Sequence, residues 1–157
     1  MLMKNTERSD KSLVSAIHLL HRAGQCADEL FNLEVGVRDL TPRQFAVLKA
    51  VEKTKDPSHT VLIEMTGIDR STMADIVRRL VQRGLLERKR TRADARRYEV
   101  RLTAQGRNTL RRAEPAIKAT DAQLLTALRP NERNAFVQAL HRIVTNLGPI
   151  SSARPGR

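Results

Sequence analysis

One stretch constrains this chain more than any other, the run from Ile68 to Leu102, IDRSTMADIVRRLVQRGLLERKRTRADARRYEVRL. In its first half Ile68, Met73, Ile76, Val77, Leu80 and Val81 recur at the spacing of one buried helix face. The opposite face carries Arg70, Ser71, Ala74, Asp75, Arg78 and Gln82, with Thr72 and Arg79 at its flanks. Asp69 stands where a cap is needed, and Gly84 where the helix must stop. Beyond the glycine, Leu85-Leu86 and Tyr98 to Leu102 read as two paired strands around a basic turn, the second with period-two alternation. A groove-sized helix followed by a basic hairpin predicts a winged helix-turn-helix. The fold class expected is mainly α with a small β-hairpin wing.

Charge sharpens this reading. The formal net charge is +12 and the pI about 11.1, which points to a polyanionic partner. Between Arg70 and Arg112 there are 14 Lys or Arg against 4 Asp or Glu, so most of the excess sits there. A concentrated basic region beside such a helix favours nucleic acid over a diffuse membrane-surface role. Three Phe, one Tyr and no Trp argue against the stacking platforms of single-strand and RNA readers. A single Cys excludes an internal disulfide framework and a Cys-based zinc site. No apolar run approaches the roughly 20 residues of a membrane-spanning helix, and MLMKNTERSDK has no signal-peptide core. A cytoplasmic protein is expected, with no membrane association.

Three short motifs follow in order: Gly84-Leu85-Leu86-Glu87-Arg88, Asp94-Ala95-Arg96-Arg97 and Leu102-Thr103-Ala104-Gln105-Gly106. Together they resemble the DNA-binding core of the MarR family of transcriptional regulators, and the likeness extends over residues 9–147. It implies a homodimeric regulator that represses from a pseudo-palindromic double-stranded DNA operator. It also implies a wing in which Arg96 enters the minor groove and Asp94 orients a basic partner, with Arg97 the adjacent alternative and Arg92 at the same tip. A short extra strand just before Ser58 is implied as well, although KTKDP itself suggests none.

The remaining chain arranges itself around that unit. Residues 1–8 and 148–157 are expected to be flexible tails. Ser9 or Asp10 is expected to cap a helix running to Glu34, apolar on two sides: Leu13, Ile17, Leu20, Ala27 and Phe31 on one, Ala16, Leu19, Ala23, Cys26, Leu30 and Leu33 on the other. Such a helix needs two covers, one from its own domain and one from a partner chain or ligand. Gly36 breaks it, and Thr41-Pro42 starts the next helix. Ser58 caps a third, Gly67 turns into the helix capped by Asp69, and residues 41–102 form the DNA-binding unit. Thr103 caps a helix distorted at Pro115. Arg129-Pro130-Asn131 reads as a turn, and the last helix ends near Leu147. Helices 9–34 and 103–147 are expected to form the dimer interface.

Site residues follow from position. Arg70, Ser71 and Thr72 sit where a recognition helix first reaches base edges. Arg78 and Arg79 are placed for phosphate, with Asp75 as a rival partner. The resemblance also implies a small aromatic effector bound between the dimerisation helices and the DNA-binding unit. Ile17, His18, His21, Arg22 and Phe31 would line one side, with Phe45 and residues 61–65 opposite. Arg22, Arg38 and Arg43 would meet a carboxylate or phosphate. Residues 15–24, SAIHLLHRAG, are similar to the branch of the family that answers to hydroxycinnamoyl-coenzyme A thioesters. His18 and His21 share a helix face but find no third ligand, so no metal is expected, and Cys26 reads as structural rather than as a redox sensor. No phosphate loop, nucleophile elbow or placed carboxylate pair appears, so neither an enzyme nor a cofactor is expected. The rival class is a basic architectural DNA- or RNA-binding protein without an effector.

Overall fold

The computed structural model describes residues 15–36, 40–55, 57–90 and 98–147. It contains α1 (Ala16–Val35), α2 (Pro42–Lys53), α3 (His59–Thr66), α4 (Arg70–Gln82), β1 (Leu86–Arg90), β2 (Tyr98–Leu102), α5 (Ala104–Leu125) and α6 (Pro130–Leu147). The two strands pair antiparallel in the register Leu86↔Leu102, Arg88↔Val100, Arg90↔Tyr98.

Local chemistry sets the helix boundaries. Thr41 and Gln44 close a capping box at α2, with Pro42 in the first turn, where its missing N–H costs nothing. Ser58 caps α3 and Asp69 caps α4. Gly67 takes φ 68° between them, in the left-handed region that makes a sharp turn inexpensive for glycine. The end of α4 is a Schellman stop: Gly84 N–H donates to Val81 O at 2.9 Å and Leu85 N–H to Leu80 O at 2.9 Å, with Gly84 at φ 71°. Leu80 and Leu85, which accompany that stop, are both buried.

Helices α2 to α4 and the root of the hairpin share one core. Val47, Leu48, Leu62, Met73, Val77 and Leu80 are completely buried, joined by Leu85, Leu86, Val100 and Leu102 from the hairpin and Leu110 and Ala113 from α5. Truncating any one of these leucines to Ala should cost about 2–5 kcal/mol. Outside this core, α1 lies along α5 and buries only Phe31. Among the described elements α6 packs closely on none, and it buries no residue.

Several expectations are corrected here. Helix α1 starts at Ala16 with Ser15 as its cap, the hydroxyl accepting from His18 N–H at 3.2 Å; Ser9, Asp10 and both tails lie outside the described residues. The first strand extends to Arg90, because a strand with one face in solvent tolerates the charged run ERKR, which carries no apolar alternation. Pro130 is the first residue of α6 rather than the middle of a turn; Pro115 lies inside α5, where the sequence placed it. No third strand precedes Ser58 among the described residues. A single rung stands in its place, from Val100 N–H to Pro57 O at 3.2 Å.

Candidate nucleic-acid interface

The exposed side of α4 carries Arg70, Ser71, Ala74, Arg78, Arg79 and Gln82, with the buried side wedged into the core. At its first turn Asp69 receives the Thr72 N–H at 2.9 Å and the Ser71 hydroxyl at 2.7 Å. Hydrogen bonds from Thr72, side chain first and then backbone, followed by Ser71, hold the Asp69 carboxyl well below the usual carboxylate range. Ser71 therefore presents a hydroxyl whose proton is already committed. Its oxygen can accept from a base amine, but donating to a phosphate would mean leaving Asp69. Among the described residues Arg70 has no such commitment, and it stands exposed beside them.

One turn further on, Asp75 pairs with both Arg78 and Arg79, the latter through Nε at 2.8 Å, and Arg78 also donates to Gln82 at 3.3 Å. The Arg78 hydrogen bond, ahead of the pull of Arg79, depresses the Asp75 carboxyl. Both arginines were expected on phosphate, with only one diverted. Two cations three and four residues from one acid are neighbours on a helix surface, so both collect on it. They remain more than half exposed, at 53% and 61% of side-chain area.

The hairpin continues the basic surface. Leu86, Leu102, Val100 and Arg88, Tyr98, Arg90 share one face, apolar at the root and polar outward. Arg90 donates to the Tyr98 hydroxyl oxygen at 3.3 Å and lies 5.8 Å over its ring. On the other face Arg101 pairs with Glu99. Arg92, Asp94, Arg96 and Arg97 lie outside the described residues, as does Arg38.

The described effector candidates lie on α1 and α2, with residues 61–65 on α3. Ile17, His18, His21, Arg22 and Arg43 are exposed, Phe31 is buried against α5, and Phe45 packs against the core. Arg22 donates to Gln25 at 2.7 Å on its own helix. Cys26 is a free, exposed thiol on α1. Residues 61–65 split between the core, where Leu62 is buried, and solvent, where Met65 is exposed. Among the described residues no group of three or more His, Cys, Asp or Glu could hold a metal ion.

Two residues of this surface escaped the reading of the sequence, His59 and Arg88. No periodicity marks His59 as part of this surface. It arrives there because the Pro57–Val100 rung draws the start of α3 against the hairpin. Arg88 was visible only as a letter of a motif.

A helix with an exposed polar and basic face, held by two shorter helices and followed by a two-stranded basic wing, defines a winged helix-turn-helix DNA-binding unit. A family model described as MarR family matches residues 38–97. Transcriptional regulator HosA of Escherichia coli O157:H7 is 34% identical over 106 residues, covering 68% of this chain and 78% of that one. Bordetella bronchiseptica BpsR, whose structure addresses regulation of its DNA binding by 6-hydroxynicotinic acid, aligns with a TM-score of 0.78 at 31% identity, over 82% of this chain and 92% of that one. The transcriptional repressor CouR, solved on a 23-mer DNA duplex, aligns with a TM-score of 0.75 at 30% identity, over 82% and 92%. This chain belongs to the MarR family. It is a DNA-binding transcription regulator. Among the described residues no helix is long and apolar enough to cross a membrane.

Proposed function

We propose that the chain works as a homodimeric, effector-released repressor in the cytoplasm, placing two copies of α4 and the wing on a pseudo-palindromic operator. The observation that carries this is the division of the surface. Basic residues gather on α4 and the hairpin, while uncovered apolar residues gather on α1 and α6, with Ile17 74%, Leu33 81% and Val144 69% exposed. Apolar faces of that size on two terminal helices call for a cover, and a second copy supplies it with two-fold symmetry. Base contacts are assigned to Arg70, Ser71 and Thr72, phosphate contacts to Arg78 and Arg79, and minor-groove contact to Arg96, or Arg97 beside it, at a wing tip that also carries Arg92 and is oriented by Asp94.

The effector proposed is an aromatic acid or its acyl-coenzyme A thioester, taken between the dimerisation helices and the DNA-binding unit. Apolar Ile17, Phe31 and Phe45 suit a ring, His18 and His21 a phenol or carbonyl, and Arg22, Arg38 and Arg43 the anionic end. BpsR supports this class, since its DNA binding is regulated by an aromatic acid. A ligand that favours the DNA-incompetent arrangement of the dimer releases the operator.

Titration of p-coumaroyl-coenzyme A, p-coumarate, 6-hydroxynicotinate and coenzyme A into a protein–operator complex tests this, with a scrambled duplex beside it. Release by the thioester but not by coenzyme A supports the acyl reading. Release by a free acid alone keeps the aromatic effector and removes the phosphate role of the arginines. Equal affinity and salt slope on cognate and scrambled duplex would leave an architectural protein instead.

A further inference from the structure

Part of the charge on α4 is offset internally, since Asp75 is shared between Arg78 and Arg79. Arg70 and Arg88 differ: among the described residues neither has an ion-pair partner. Their charges converge on His59, the half-buried first residue of α3. Val100 spends its N–H on Pro57, so that N–H points away from β1. Arg88↔Val100 is then a non-hydrogen-bonded pair, the kind whose facing side chains stand closest. Together His59, Arg88, Tyr98 and Val100 line a cavity of about 280 Å³, with no carboxylate among them. The Tyr98 hydroxyl oxygen accepts from Arg90, which leaves its own proton free to donate.

We propose that this notch seats one backbone phosphate of the bound DNA, with Arg88, Tyr98 and the His59 ring as donors and Arg70 beside them. The seat rests on the DNA-binding reading above and adds to it a contact outside the recognition helix and the wing tip. A phosphodiester is an anionic acceptor with no proton to give, and the notch offers it donors with no competing acid.

The seat makes binding proton-linked. Partial burial, then the guanidinium groups of Arg88 and Arg70, hold the His59 imidazole below its ordinary value, so it is largely neutral in the free protein at pH 7. Among the described residues the charged groups facing it are Arg70 from α4 and Arg88 from β1, with the Tyr98 phenol from β2 and no acid. A seated phosphate reverses that field and favours the imidazolium. Binding therefore takes up a proton, and affinity rises as the pH falls from 8 toward 6.

Operator affinity measured by fluorescence anisotropy at pH 8, 7 and 6, at fixed ionic strength, tests the seat in the wild type, His59→Gln and Arg88→Gln. The wild type should tighten by up to about tenfold across this range, while His59→Gln stays nearly flat. Arg88→Gln should weaken cognate and scrambled duplexes alike and lower the salt slope by about 1. Calorimetry of the wild type in two buffers of different ionisation enthalpy reads the proton uptake without any substitution. A His59→Gln profile parallel to the wild type, an unchanged salt slope in Arg88→Gln, or no proton uptake at pH 7 would overturn the seat. If specific binding persists in those cases, only the seat is lost; if the wild type binds no duplex at any pH, the DNA-binding reading falls with it.

Discussion

A methyl group placed on residue 106 would lie 2.0 Å from the carbonyl oxygen of Leu85 and 2.9 Å from its carbonyl carbon. The obstacle is backbone, so no rotamer change relieves it. Thr103 works at the same junction: its N–H donates to Leu85 O at 3.2 Å, its hydroxyl donates to Gly84 O at 2.6 Å, and the hydroxyl oxygen accepts the Gly106 N–H at 2.9 Å. The two motifs Gly-Leu-Leu and Leu-Thr-x-x-Gly are thus the halves of one latch between the end of α4 and the start of α5. Gly106→Ala should destabilise by at least the ~1–3 kcal/mol of ordinary overpacking, and Thr103→Ala by about 1–2 kcal/mol as a lost cap. Thermal denaturation followed by circular dichroism checks both; an unchanged Tm in Gly106→Ala would mean that α5 is not held there. Asp69 gives the expected pH dependence. Its folded-state value is depressed, so its contribution is complete above the unfolded carboxylate value near pH 4 and is lost as the pH falls through the lower folded one. Asp75 and Glu114 are shifted the same way by their cationic partners. Stability attributable to these acids should stay level from pH 8 to 5 and decline below 4, read from melts in a buffer series.

Among the elements, α4 and the hairpin differ in how far they could be foreseen. The buried face of α4, its cap and its stop were all legible, because helix periodicity, an acid before the first turn and a glycine after the last are local signals. The pairing of Arg78 and Arg79 with one acid was only half legible, since spacing shows that they can reach Asp75 but not that both do. The outer half of β1 was illegible because its side chains face solvent and carry no pattern. His59 was illegible for a different reason: its place depends on a tertiary rung between Pro57 and Val100. Of the expected effector residues, Ile17, His18, His21 and Arg22 lie exposed on α1, and a face that a second chain must cover is not legible from one chain. The ion pairs on α4 lead to a prediction of their own. Asp75→Asn frees two arginines, so binding to cognate and scrambled duplexes should tighten together, and the slope of log affinity against log salt should steepen by up to ~0.9 for each phosphate gained. Arg70→Ala should weaken binding by ~1–3 kcal/mol and relax discrimination at particular bases. Unchanged affinity and slope in Asp75→Asn would show that Arg78 and Arg79 do not reach the backbone.

For the whole molecule, the uncovered apolar residues of α6 make assembly the first thing to measure. Val144→Asp should turn a dimer into monomers in sedimentation velocity and lower operator affinity sharply, while the melting of the DNA-binding core changes little. A wild type that sediments as a monomer at micromolar concentration would end the dimer reading. Footprints of the dimer should show two half-sites with centres about 10 bp apart. In the proposed dimer α5 links the apolar helices to the DNA-binding unit. At 22 residues it is a rod about 33 Å long, latched at one end to the turn that closes α4 and lying along α1. Lys49 of α2 adds an ion pair to Glu114, midway along it. A lever pinned in this way trades angle for distance: a tilt of about 5° at the latch carries the far end through roughly 3 Å. In the proposed dimer the same gearing, run backwards, would turn a small spreading of the apolar helices into a change of pitch between two recognition helices that must fit one groove period.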